Sequence, residues 1–159
     1  MENELIELAK ELGRWLTVNG KIITTAESCT GGWIAQSITE IPGSSAWFDR
    51  GFVSYSNIAK MQMLGVNPLI LQTYGAVSAE VAQEMVIGAL SHSEADVAIA
   101  VTGIAGPDGG TSEKPVGTVF IAWASKDGNI RVKKKLFYGN RQQIRAQTVQ
   151  FAIQGMSEL

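Results

Sequence analysis

The chain has 159 residues, 45% hydrophobic and 18% charged, with a formal net charge of −2, the size and make-up of one folded domain around one core. No apolar run reaches the roughly 20 residues of a membrane-spanning helix, and the slight negative charge argues against a general nucleic-acid binder. A single cysteine, Cys29, excludes an internal disulfide framework and fits a reducing cytoplasm, while one histidine, His92, far from it gives no metal-ligand spacing.

Residues 2–18 carry apolar side chains at Leu5, Ile6, Leu8, Ala9, Leu12, Trp15 and Leu16, a helical spacing that stops at Asn19-Gly20. Such an amphipathic start is not a signal peptide. Lys21 to Ala26 reads as a buried strand and Gly31 to Thr39 as a helix, so the polar run TTAESCTGG (24–32) falls where a strand turns into a helix. PGSSAWF (42–48) is a turn with a short helical piece. A strand is expected over Arg50 to Tyr55, and a helix over Ile58 to Leu64 with Ser56-Asn57 as its cap. Two more helices follow, over Asn67 to Thr73 and over Ser78 to Ser91.

Asp96 to Thr102 (DVAIAVT) is the most apolar strand and is expected near the middle of the sheet. It runs into GIAGPDGGTSEKPVG (103–117), a loop with five glycines. Strands over Gly117 to Ala124 and Asn129 to Tyr138 are joined by the turn Lys126-Asp127-Gly128. A helix from Arg141 to Met156 closes the chain. Intermixed strands and helices with a late antiparallel pair predict an α/β fold, a single three-layer α/β/α domain over residues 1–159 with a mixed sheet.

Ligands of open α/β sheets collect beyond the carboxyl ends of strands, where both AESCTGG and TGIAGPDGG sit. Neither matches a phosphate-binding fingerprint. His92, at a helix end, reads as a dipole contact, and Cys29 as a packed thiol. A serine with a lysine base remains. Lys60 lies early in a predicted helix just past a strand end, where burial would lower its pKa toward a useful base, and Tyr55 on that strand end could share its proton. Ser28 and Ser45 compete as nucleophile. If the amides at Thr30, Gly31 and Gly32 form an anion cradle, Ser45 is the freer to attack and is the preferred candidate. Arg141 and Arg145, at i, i+4 near a helix start, suit a phosphate. The lysines at 133–135 read as the guard of an edge strand.

TTAESCTGG, GSSAWFDRGFVSYSNIAKMQMLGV, GAVSAEVAQEM and VTGIAGPDGGTSEKPVGTV together resemble the CinA C-terminal-domain family, in the family's order and over nearly the whole chain. The resemblance implies an enzyme that hydrolyses the carboxamide of nicotinamide mononucleotide to nicotinate mononucleotide and ammonia. It implies a serine–lysine site without metal or cofactor, matching Ser28, Ser45, Tyr55 and Lys60 here, and a homodimer. Glu27, Thr30, Gly31, Gly32, Thr102, Gly103, Gly106, Arg141 and Arg145 are the candidate substrate contacts. The competing readings are an amidase of another small amide, a non-catalytic nucleotide-binding module, and an interaction protein connected with competence or DNA damage.

Overall fold

The alternation in DVAIAVT sets the architecture. Val97, Ile99 and Val101 point to one face of the sheet and Ala98 and Ala100 to the other. The computed structural model describes residues 2–159. Its elements in chain order are α1 (Glu2–Asn19), β1 (Ile23–Glu27), α2 (Trp33–Thr39), β2 (Phe48–Val53), α3 (Asn57–Leu64), α4 (Pro68–Tyr74), α5 (Ala79–Ser91), β3 (Val97–Gly103), β4 (Thr118–Ser125), β5 (Ile130–Leu136) and α6 (Arg141–Gly155). Short 3₁₀ turns cover Ser44–Ala46 and Met156–Glu158.

The sheet runs β2-β1-β3-β4-β5. β1 is parallel to both β2 and β3, whereas β3–β4 and β4–β5 are antiparallel, as expected of a mixed sheet. On the large-residue face, Leu12, Leu16, Ile34, Ile38, Ile144 and Ile153 from α1, α2 and α6 pack against Ile23, Ile99, Ile121 and Trp123. On the alanine face, Leu64, Leu71, Val81, Met85 and Val86 from α3, α4 and α5 pack against Ala98, Ala100, Ala122 and Ala124. The small strand side chains let α5 lie close to the sheet. The result is the three-layer α/β/α arrangement.

Strand ends differ from expectation by one or two residues, and β1, for example, covers Ile23–Glu27 instead of Lys21–Ala26. β2 starts earlier and stops earlier than Arg50–Tyr55, because Phe48 already pairs with Ile23, and after the bond from Ser54 N to Glu27 O the chain turns away so that Ser56 can cap α3. β5 ends at Leu136, not Tyr138, because its partner β4 begins at Thr118, which faces Leu136. The lysines at 133–135 do lie on an edge strand, β5. No helix among the described residues is long and apolar enough to cross a membrane.

Candidate active site

β1, β2 and β3 run parallel, so their carboxyl ends meet at one edge of the sheet. Three segments leave from there: the loop 28–32 after β1, residues 54–56 after β2, and the glycine-rich loop after β3. Ser28 N donates to Val101 O at 3.2 Å, which binds the first of these to the last strand. α3 then begins at Ser56, whose Oγ accepts from Ala59 N at 3.0 Å. That cap aims the first turn of α3 back at the strand ends, and Lys60 extends from it into the interior.

Lys60 is 1% exposed. Its Nζ lies 2.9 Å from Ser28 Oγ and 2.8 Å from the carbonyl oxygen of Tyr55, and Ser28 Oγ has the same carbonyl at 3.4 Å as a weak alternative partner. Burial lowers the lysine pKa, as the sequence suggested, since removal from water penalises the ammonium form. Cys29 supplies no counter-charge. Burial first, and Glu27 second, push its thiol up to about 12, so it stays protonated at neutral pH. The arrangement is a hydroxyl and a desolvated amine in hydrogen-bond contact, with a fixed backbone acceptor holding the amine.

Tyr55 enters differently than expected. Its backbone carbonyl meets Lys60, while its phenol is directed outward, 59% exposed, and accepts from Arg141 Nη2 at 3.1 Å. Arg141 Nη1 donates to Gly106 O at 2.6 Å, so this guanidinium joins the phenol to the glycine-rich loop at the rim. Arg145 packs its guanidinium 5.5 Å from the Trp33 ring and donates to Cys29 O at 3.0 Å and Thr30 O at 3.1 Å. The amides of Thr30 and Gly32 donate to no protein acceptor among the described residues, while Gly31 N donates to Ser28 O at 3.1 Å.

Ser45 is not part of this cluster within one chain. It sits exposed on the 3₁₀ turn that precedes β2, whereas Tyr55 follows β2. The six residues of that strand put about 20 Å between the two ends. Glu27 is also placed otherwise than as a substrate contact: its buried carboxylate accepts from Thr30 Oγ1, Ile34 N and Ala35 N. Thr102 is buried, with Oγ1 donating to Ala76 O at 2.8 Å. Gly103 and Gly106 are packed against Val119 and Val116 so tightly that a Cβ would come within 2.7 and 2.5 Å of those side chains. They shape the loop wall. His92 caps the C-terminus of α5, as read from sequence. No three His, Cys, Asp or Glu side chains come together as metal ligands among the described residues.

The chain is 54% identical over 153 residues to a protein named nicotinamide-nucleotide amidohydrolase PncC from Enterobacter agglomerans, covering 96% of this chain and 93% of that one. It is 52% identical, with the same coverage, to the protein of that name from Escherichia coli strain K12. Among solved structures, the competence/damage inducible protein CihA of Agrobacterium tumefaciens superposes with a TM-score of 0.91 at 50% identity, over 94% of this chain and 92% of that one. A CinA superfamily protein from Klebsiella pneumoniae superposes with a TM-score of 0.93 at 39% identity, over 97% and 96%. The family model of the CinA C-terminal domain matches residues 5–159. On both the sequence match and the shared fold, the chain belongs to the CinA C-terminal domain family.

Proposed function

We propose that this chain, acting as a single domain, hydrolyses the carboxamide of nicotinamide mononucleotide to nicotinate mononucleotide and ammonia, with Ser28 as nucleophile and Lys60 as general base. The observation that carries the residue assignment is the 2.9 Å contact between a fully buried lysine amine and the Ser28 hydroxyl. The relatives named nicotinamide-nucleotide amidohydrolase support the substrate. Amides are poor electrophiles, so an activated hydroxyl and a site for the developing oxyanion are what the reaction needs.

In this reading the neutral Lys60 amine keeps one N–H on Tyr55 O and takes the Ser28 proton as Oγ attacks the carboxamide carbon. The amides of Thr30 and Gly32 receive the oxyanion. On collapse, the C–N bond breaks and the Lys60 ammonium returns its proton to the leaving nitrogen, which departs as ammonia. The nicotinoyl group is left as an ester on Ser28. Water then attacks that ester, Lys60 accepts the water proton and passes it to Ser28 Oγ, and the acid leaves. One amide and one water give one acid and one ammonia. Arg141, at the rim beside the Tyr55 phenol, is the candidate partner for the 5′-phosphate.

The test is ammonia release from nicotinamide mononucleotide in the presence of EDTA by wild type, Lys60→Ala, Ser28→Ala and Ser45→Ala. Wild type and Ser45→Ala are expected to turn over at similar rates, and the other two to lose at least about a thousandfold in kcat. Full activity in Ser28→Ala would sink the assignment of the nucleophile. Loss of wild-type activity on chelation would sink the metal-free mechanism.

A further inference from the structure

We infer that Glu27 is a positioning residue, whose buried carboxylate fixes the loop 28–32 in the shape that presents the Ser28 hydroxyl and the loop amides. The inference rests on the serine–lysine reading above and deepens it. Glu27 ends β1 directly before Ser28 and is 1% exposed. Its Oε1 accepts from Thr30 Oγ1 at 2.5 Å and from Ile34 N at 2.8 Å, and its Oε2 from Ala35 N at 3.0 Å. All three partners are donors, so both oxygens are committed to the protein.

Ile34 and Ala35 are the second and third residues of α2. Their amides belong to the four that a helix leaves unpaired at its start, which a Ser, Thr, Asp or Asn at the cap position normally satisfies. Here the cap is Gly32, with φ of 102° and no side chain to offer. Glu27 does the cap's work from the end of the preceding strand. A side-chain cap would require extended backbone at residue 32. With that duty moved to residue 27, the loop can instead turn through two left-handed glycines, Gly31 and Gly32, and keep the Gly32 amide unpaired. Arg145 grips the outside of the same loop through the Cys29 and Thr30 carbonyls. The loop is held by an acid beneath and a base above, neither of which touches Lys60 or the Ser28 hydroxyl.

Glu27→Gln tests this, because it preserves size but turns one acceptor into a donor facing donors. Steady-state kinetics with nicotinamide mononucleotide are combined with amide hydrogen exchange on wild type and variant. The expected result is a drop in kcat of about 10- to 100-fold, up to the cost of a reacting group misplaced by about 1 Å, with KM within about threefold. Amides of residues 28–35 should exchange at least about tenfold faster. Thr30→Val, which removes one of the three donors and leaves the acid, should show the same pattern at a few-fold in kcat, and decides the matter if Glu27→Gln does not fold. A raised KM at unchanged kcat would overturn the inference, because the carboxylate would then be touching substrate. Unchanged exchange over 28–35 would overturn it whatever the kinetics. Absence of wild-type turnover would instead defeat the amidase reading, and the exchange comparison would still decide whether Glu27 holds the loop.

Discussion

At the scale of single residues, the proposed mechanism turns on which proton state Lys60 holds. A lysine in water carries its charge until about pH 10.4, and a charged amine cannot take the serine proton. Burial of Lys60 lowers that threshold, so a larger fraction is neutral near physiological pH. In the proposed mechanism kcat/KM therefore rises with pH, about tenfold per unit, until it levels off at the Lys60 pKa of the free enzyme. The level is expected below the ordinary lysine value. A pH–rate profile on wild type checks this, and a limb that climbs unbroken through pH 10.4 would refute it. Residue types at this site were legible in the sequence: a hydroxyl, an amine past a strand end, and glycines at a strand–helix turn. Which of Ser28 and Ser45 stands beside Lys60 was not. It depends on which end of β2 each serine reaches, and that is fixed by the parallel pairing of β1 with β2, a contact between strands more than 20 residues apart. The roles of Glu27 and of the Tyr55 carbonyl were hidden for a related reason. A sequence displays side-chain chemistry but not which groups are consumed by neighbouring backbone.

At the scale of elements, Lys60 is aimed by α3, and α3 is held by its contact with α5. Gly88 of α5 lies where a Cβ would come 2.0 Å from the Leu64 carbonyl oxygen, and Leu64 is one turn beyond Lys60 on α3. Helix propensity alone makes glycine worse than alanine at a helix interior by about 1 kcal/mol. The close approach reverses that sign. Gly88→Ala is expected to destabilise the fold by about 1–3 kcal/mol through overpacking. It should also reduce kcat, since α3 must shift away and carry the amine with it. Urea denaturation and turnover on the same preparation check both, and an alanine variant as stable as wild type would show that the two helices are not locked together here. The elements themselves followed from periodicity and capping residues, with Ser56, Asn67 and Ser78 all found at helix starts, whereas the Asn140 cap of α6 emerged only in the structure. Strand ends were harder, because β2 and β5 stop where their partners stop, not where their own apolar pattern fades.

At the scale of the whole molecule, burying a lysine against the strand ends carries a desolvation cost. The layering was legible from the intermixing of strands and helices along the chain, whereas the alanine face of DVAIAVT that receives α5 showed only in the packing. The order β2-β1-β3-β4-β5 was not, since nothing local states which strands become neighbours. That order leaves the carboxyl ends of three parallel strands open to hold a desolvated amine. The stability consequence has a definite sign. The Lys60 pKa is lower folded than unfolded, so between the two values the unfolded chain binds more protons, and stability rises with pH across that window. Below it, both states are protonated and the folded state carries the full desolvation penalty. Lys60→Met keeps the length and apolar stem of the side chain, removes the charge, and leaves Ser28 Oγ its weak alternative contact to the Tyr55 carbonyl. It should abolish turnover yet raise stability at pH 7 by about 1 kcal/mol, or about 2–4 °C in Tm for a chain of this size. It should also flatten the rise of stability toward alkaline pH. Thermal melts of both proteins at pH 7 and above pH 9 measure all of this. A methionine variant less stable than wild type at pH 7 would mean that the hydrogen bonds of Lys60 to Ser28 and Tyr55 outweigh its burial, and that this amine is a structural asset as well as a base.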